Sequence, residues 1–538
     1  MKVFLGILFN NSLSQPPQDR LRGMSRVSLV SVGSRGDIQP YVAFGVFLRG
    51  LGYEIRVCSE ERHKQLILDS GVEFGQIYGD CTGALYEKDM QAALETGSLF
   101  KMISATKEWD AKFSKEEMLR SYVSALAGSD LILCGGLSLT QSICVAEYMR
   151  VPVIPLILGP TLPTQEFPIW PLASLVWSKC QNRWSYNFLF RTLWSQEKPH
   201  INRWRESELG LAPWTTLKNG VADITATLPV IIACSRLVLP SKQKPADYPA
   251  NAHLRGFIFH HADTAAETLP GSQGPEGLEA LTAFIAKAKL DGKKLVYLGF
   301  GSMPCSNPGR LVGVANELCS RLDCRAVLLA NWPSLHAPAS GSTSTSASAP
   351  APAPAPVPTS ASADVLMVPF APHSWLFPQM DCLIHHCGIG TLAAGLLAGV
   401  PTVPCPYGMD QPHNAKLLVS LGVAPAVVKY NKSMSAAALS VAVARVFGAG
   451  PEGEGEGEGE GEGFRQRARE WREVLLEEDK GAMRAYAEVV AEEIAKWSAA
   501  KAGAVAETGA AGVGSGAGAV AKAGAVAVVG FGAGAGAV

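Results

Sequence analysis

Apolar residues in this chain come in short, near-continuous runs, most followed by a turn and then a stretch with helical spacing. VSLVSV (27–32) is the first run; GSRGD (33–37) turns the chain, and helical spacing continues from Pro40 to about Gly50. YEIRVC (53–58), VEFGQI (72–77), LILCGG (131–136) and VPVIPLI (151–157) read as further strands, the last two bracketing a helix over 138–149. Strands apolar along their whole length are buried on both faces. Their alternation with helices predicts a parallel, doubly wound α/β sheet. The same cycle restarts at KKLVYLGFGSM (293–303) and runs through CRAVLLA (324–330), VLMVPF (365–370), CLIHH (382–386) and VPTVPCP (400–406).

Two such blocks predict two Rossmann-like domains facing each other across a cleft. The expected division is an N-terminal extension (1–25), a first domain (26–240), a Pro-, Gly- and polar-rich linker (241–290) and a second domain (291–463). Inside the second domain, the Ser/Thr and Ala-Pro segment 340–363 cannot bury a core, so it is expected to lack regular structure. PEGEGEGEGEGEG (451–463) reads as a spacer. Residues 464–497 place Trp471, Leu475, Val489 and Ile494 at helical spacing, predicting an amphipathic helix with a break near Gly481. The Gly/Ala tail 498–538 lacks the large apolar residues of a membrane helix and is expected to be disordered.

Composition narrows the function. At 538 residues the chain is too long for one compact core. A net charge of −1 offers no basic face for nucleic acid. Twelve cysteines occur singly, with no C-x-x-C pair, which argues against zinc ribbons and disulfide scaffolds and for reduced, buried thiols in the cytoplasm. The opening MKVFLGILFNNSLSQ is short for a secretory leader and has no clear cleavage site.

The densest chemistry lies in HHCGIGTLAAGLLAGVPTVPCPYGMDQ (385–411). A strand ends at His385 and His386, a glycine-containing turn follows, and Thr391 opens a helix. Backbone N–H groups at such a helix start favour an anion, His386 adds a donor and Thr391 a hydroxyl, while Gly388 and Gly390 let the backbone come close to a phosphate. Asp410 and Gln411 follow the next strand and should line the same edge; a carboxylate beside an amide suits paired sugar hydroxyls. A glycine-rich turn alone says little, and paired histidines are more often structural. The whole ordered window is far more specific.

That window closely resembles the donor-binding signature of the GT-B UDP-glycosyltransferases, in the variant of sterol 3-beta-glucosyltransferases and the bacterial enzymes that glycosylate antibiotic aglycones. GSRGDIQPYVAFGVFLRGLGYEIRVC (33–58), PTLPTQEFP (160–168), INRWRESELGLAP (201–213), YLGFGSM (297–303) and PHSWLFPQMDCLIHH (372–386) match in the same order. The resemblance covers about residues 26 to 497 and implies a GT-B fold with an N-terminal domain of the glycosyltransferase family 28 type. It further implies metal-independent, inverting transfer of glucose from UDP-glucose to a sterol or another lipid or polycyclic hydroxyl, with no cofactor and possible peripheral contact with a membrane. Asp37 matches the proposed general base; equally, an Asp at that turn commonly caps the following helix. His386 and Thr391 match diphosphate contacts, Ser302 a second phosphate-side contact, His373 with Phe370 the nucleobase region, and Asp410 with Gln411 the sugar-reading pair.

Cys387 departs from the glycine usual in the sterol-type signature, Ser374 stands where Asp is common, and Met409 stands where Gly is frequent. The insert at 340–363 precedes the nucleobase region and puts donor access in question. The apolar 169–177 stretch fits either an acceptor wall or ordinary core. A dinucleotide-binding oxidoreductase is disfavoured, because the first turn lacks G-x-G-x-x-G. A catalytically silent nucleotide-sugar-binding protein remains the alternative of a different class.

Overall fold

The computed structural model describes residues 26–511 except 97, 176–177, 260–274, 302, 304–307, 330–358, 431–433 and 449–457. The first domain holds β1 (Arg26–Val30), β2 (Glu54–Glu60), β3 (Glu73–Ile77), β4 (Leu131–Cys134), β5 (Val153–Ile157), β6 (Val230–Ile232) and β7 (Ala252–Leu254). They form one parallel sheet in the order β3-β2-β1-β4-β5-β6-β7. Val27, Leu29, Ile132 and Leu133 have no exposed surface, so the central strands β1 and β4 are covered on both faces, whereas β2 and β3 toward the edge carry the polar Glu54, Arg56, Glu73 and Gln76.

The second domain contains β8 (Leu295–Gly299), β9 (Arg325–Leu329), β10 (Thr359–Ser362), β11 (Val365–Val368), β12 (Cys382–His385) and β13 (Thr402–Pro404), ordered β10-β11-β9-β8-β12-β13. Its strands are parallel except β10, which pairs antiparallel with β11. In each sheet the strand order reverses once, between β1 and β4 and between β8 and β12. Those switch points open crevices at the carboxyl ends of the strands.

Three expectations need correction. The 241–290 linker contributes to both domains: β7 belongs to the first sheet, and the helix Pro275–Leu290 packs Leu281, Ile285 and Ala288 against Leu295, Tyr297 and Val327 of the second, while residues 260–274 lie outside the described residues. The end of the low-complexity insert forms β10, because an edge strand needs backbone bonds and not an apolar face. The C-terminal helix runs Glu458–Ala511, beginning inside the Gly-Glu spacer and extending into the tail, and it is continuous through Gly481.

Packing on both sides of Gly481 explains that continuity. Leu475 joins a core shared with Phe167, Leu189, Leu392 and Leu418, while Tyr486, Val490 and Ile494 join the core of the first sheet. The helix therefore crosses back from the second domain to the first. The Tyr486 hydroxyl accepts the Arg255 and Gly256 N–H groups at 3.0 and 3.2 Å and lies 2.9 Å from the Ile232 carbonyl. One glycine costs about 1 kcal/mol in a helix, less than such packing supplies. No helix among the described residues is long and apolar enough to cross a membrane.

Candidate active site

The turn after β1 leads into the helix Arg35–Gly50. Gly33 enters it at φ 137°, and a Cβ there would lie 2.6 Å from Asp37 Oδ2. Asp37 Oδ2 accepts the Ser34 N–H at 2.7 Å and the Ser34 hydroxyl at 2.8 Å, so the helix cap is formed. Asp37 also lines the cavity between the domains. Desolvation raises its pKa from the ordinary value, opposed by the two Ser34 bonds. The cap and the cavity group are one residue.

Across the cleft, β12 delivers His385 and His386 to the second switch point. His385 is buried, and its Nδ1 accepts the Cys387 N–H at 3.0 Å. His386 is cradled by two glycines: a Cβ on Gly301 would lie 2.7 Å from its Cε1, and one on Gly388 2.6 Å from its Nε2. Gly388 thus makes room for the imidazole, whereas Gly390 has nothing within 4 Å of its Cβ position. Burial lowers the His386 pKa to about 4, so the ring is neutral near pH 7. Its Nδ1 is buried with no hydrogen-bond partner among the described residues. The helix Ile389–Ala398 starts from Gly388, which offers no side-chain cap, and Thr391 sits half-buried in its first turn on the cavity wall. Its leading N–H groups have no partner within the helix, the arrangement that favours an anion.

Asp410 and Gln411 stand where the helix Gln411–Ser420 begins. Asp410 Oδ2 accepts Asn414 Nδ2 at 2.8 Å. Desolvation, with a smaller repulsion from Asp37, raises the Asp410 pKa to about 6. Gln411 is more constrained than its motif suggested. Its Oε1 accepts the Tyr407 and Gly408 N–H groups at 2.8 and 3.1 Å, and its Nε2 lies 3.3 Å from the Met303 sulfur. Ser302 falls outside the described residues.

His373 stacks on Phe377 at 4.2 Å, and its Nε2 meets the Tyr297 hydroxyl at 3.2 Å. Burial first, then the positive fields of Arg35 and His386, lowers its pKa to about 3. Arg35 escaped the sequence reading. Its guanidinium crosses from the first domain to lie 4.1 Å above the Phe370 ring, its Nε is buried without a partner among the described residues, and desolvation lowers its pKa to about 10. Only its neighbour Asp37 could have hinted at it, because its partner comes from the other domain.

Arg35, Asp37, His373, His386, Thr391 and Asp410 line one cavity of about 1970 Å³, beyond the 300–1,000 Å³ typical of a single small-molecule pocket and large enough for two substrates. On the first-domain side its wall includes Met118, Leu119, Phe167, Ile169, Leu189 and Phe257.

Two of the glycine departures have a backbone counterpart. Cys387 has φ 67° and Met409 φ 60°, left-handed conformations that glycine adopts without strain.

Two Rossmann-like domains closing on a cleft with these switch-point turns define the GT-B class. Residues 27–153 match the glycosyltransferase family 28 N-terminal domain, and residues 355–458 match the erythromycin biosynthesis protein CIII-like C-terminal domain. The chain has the GT-B fold and is similar to glycosyltransferases of this type, sterol 3-beta-glucosyltransferases among them. It is 31% identical over 427 residues to the sterol 3-beta-glucosyltransferase of Penicillium rubens, covering 77% of this chain and 28% of that one. For the enzyme of Yarrowia lipolytica the figures are 30% over 419 residues, 77% and 26%. The chain thus spans about a quarter of the length of these relatives. Among solved structures, the glycotransferase of kitacinnamycin superposes with a TM-score of 0.56 at 16% identity, covering 87% of this chain and 99% of that one. The glycosyltransferase VinC, solved in complex with DTDP, gives 0.53 at 16% identity, covering 88% and 99%.

Proposed function

We propose that the protein transfers glucose from UDP-glucose to the hydroxyl of a sterol or similar hydrophobic acceptor, with inversion at the anomeric carbon. The observation that carries this reading is the single cavity that brings Asp37 from one domain within electrostatic reach of Asp410 from the other, beside His386 and Thr391.

Asp37 serves as the base. Its raised pKa keeps the carboxylate basic enough to take the acceptor's proton as the oxygen attacks the anomeric carbon. The bond from that carbon to the diphosphate breaks on the opposite side. The first-turn N–H groups at Gly390 and Thr391, a neutral His386 N–H and the Arg35 guanidinium receive the charge that develops on the leaving oxygen. Asp410 and Gln411 bear on the sugar, and His373 with Phe370 on the base. The apolar wall supports a greasy acceptor, as do the names of the relatives.

Incubation with UDP-glucose and a panel of sterols and other hydrophobic alcohols, with products identified by mass, tests the reading. A glucosylated sterol is expected. UDP-glucose binding without any transferred product would instead identify a silent nucleotide-sugar-binding protein.

A further inference from the structure

We infer that Glu60 and His63 are positioning residues that hold the Asp37 turn by bonding the N–H and the carbonyl of Gly33, one on each of its two peptide groups; the inference rests on the reading of Asp37 as the base. Glu60 is the last residue of β2, and His63 closes the short helical turn that follows. Glu60 is 3% exposed and His63 7%, so neither is a surface residue that meets the turn by chance. The Gly33 N–H points to Glu60 Oε2 at 3.4 Å, and the Gly33 carbonyl meets His63 Nε2 at 2.8 Å. A carbonyl only accepts, so His63 carries its proton on Nε2; burial lowers its pKa and keeps the ring neutral in that tautomer. Glu60 is fixed in turn, because its Oε1 accepts the Cys81 N–H at 2.5 Å.

The grip falls on a residue with little freedom to drift. Gly33 sits at φ 137°, and Asp37 Oδ2 would come within 2.6 Å of a Cβ there. Rotating the backbone at Gly33 therefore moves the floor beneath the carboxyl group and the Ser34 N–H to which it is bonded. The clamp ties the loops after β1, β2 and β3 together at the carboxyl edge of the sheet. A base must approach the acceptor hydroxyl within a few tenths of an ångström, and a misplacement near 1 Å costs about 10²-fold in rate. His63 gives the clearest test: it is not among the residues lining the cavity, so it acts through Gly33 and not on substrate.

The experiment compares His63→Leu, which fills the space but cannot donate, with His63→Gln, whose amide N–H can reach the carbonyl. Glu60→Gln is made alongside. Folding is checked by thermal unfolding, and kcat and KM for UDP-glucose are measured per folded molecule with a sterol acceptor. The Leu variant is expected to lose about 10²-fold in kcat with KM within about twofold, and Gln to restore at least about tenfold of that loss. Glu60→Gln, which keeps an acceptor for an N–H, should lose less than His63→Leu.

A purely structural role predicts lower stability, unchanged kcat per folded molecule and no advantage of Gln over Leu; that result overturns the inference. Should His63→Leu fail to fold, His63→Gln against Glu60→Leu gives the same decision. Asp37→Asn, run in parallel, separates the two readings. If it turns over at the parent rate, the base assignment fails. If it is inactive while His63→Leu is fully active, only the clamp fails.

Discussion

The turn after β1 and the turn after β12 both leave a parallel strand at a topological switch point and open a helix, yet one closes on itself and the other does not. In the first, Ser34 and Asp37 satisfy each other and Gly33 is held by Glu60 and His63, so the carboxyl group is fixed, although the neighbouring Arg35 keeps a buried Nε without a partner among the described residues. In the second, the helix begins from a glycine without a side-chain cap, and His386 Nδ1 is buried without a hydrogen-bond partner among the described residues. A self-satisfied turn presents a fixed group to whatever arrives. An unsatisfied one is completed by what it binds, because buried polar atoms without partners carry a desolvation cost that a ligand can relieve. Under the proposed function, acceptor activation and donor capture call for opposite local designs, one on each side of the cleft.

The sharpest way to break this comparison is Asp37→Asn. The amide keeps the shape and much of the capping but cannot take a proton. Folding should be near normal, UDP-glucose affinity near that of the parent, and turnover lower by about 10²–10⁴-fold in a product assay. A residue that only caps its helix predicts little loss of turnover and at most a modest fall in stability.

His386→Ala tests the opposite turn, and its effect should be on the donor. Loss of a hydrogen bond to a charged group costs about 1.5–3 kcal/mol, read as weaker UDP-glucose binding by calorimetry. Because His386 is neutral above a pKa of about 4, that loss should be nearly the same at pH 6 and pH 8. A loss that grows steeply toward low pH would mean that the imidazolium binds the donor.

How far these features were legible in the sequence follows from the same contrast. The near-continuous apolar strands announced themselves, and so did the His386–Thr391 turn with Asp410, because each is a local pattern. β6 and β7 are three residues long, and the helix Lys179–Ser207 carries Pro199 and a largely polar surface; neither has a periodic signal of its own. The resemblance matched PHSWLFPQMDCLIHH but could not say that His373 would stack on Phe377 and bond to Tyr297. Arg35 stayed silent because its meaning lies in Phe370, more than three hundred positions away. The role of Gly388 was misjudged for a similar reason: its neighbour in space is the His386 ring as well as any ligand.

A smaller effect should appear in stability. Asp410 has a pKa raised to about 6, against about 3.9 for an unfolded Asp. Between those values the folded state holds more protons than the unfolded one, so this group's contribution to stability declines as pH rises from about 4 to about 6. Asp410→Asn removes that contribution. Other raised carboxyls, Asp37 and Glu60 among them, act in the same direction in both proteins. The quantity to measure is therefore the difference in denaturation midpoint between parent and variant across pH 4 to 7. It should shift in favour of the variant as pH rises. A flat difference would mean that Asp410 titrates in the ordinary carboxylate range.

The smallest effect concerns the backbone of the donor-side loops. Met409 adopts φ 60° and is 40% exposed, so it combines a left-handed conformation with modest burial. At most positions glycine is the worse replacement for a side chain, because it gives the unfolded chain more freedom; the usual penalty against alanine is about 0.5–1 kcal/mol. In the left-handed region the order reverses. Alanine keeps the clash of its Cβ with the following carbonyl, at a cost of about 1–2 kcal/mol, while glycine removes it. Both substitutions remove the same thioether, so lost packing cancels between them. Met409→Gly should therefore be more stable than Met409→Ala by up to about 1 kcal/mol, read from denaturant midpoints at equal slope. An alanine variant that is the more stable of the two would mean the loop escapes the left-handed conformation once the methionine is gone, and that its shape is set by the side chain and not by the turn.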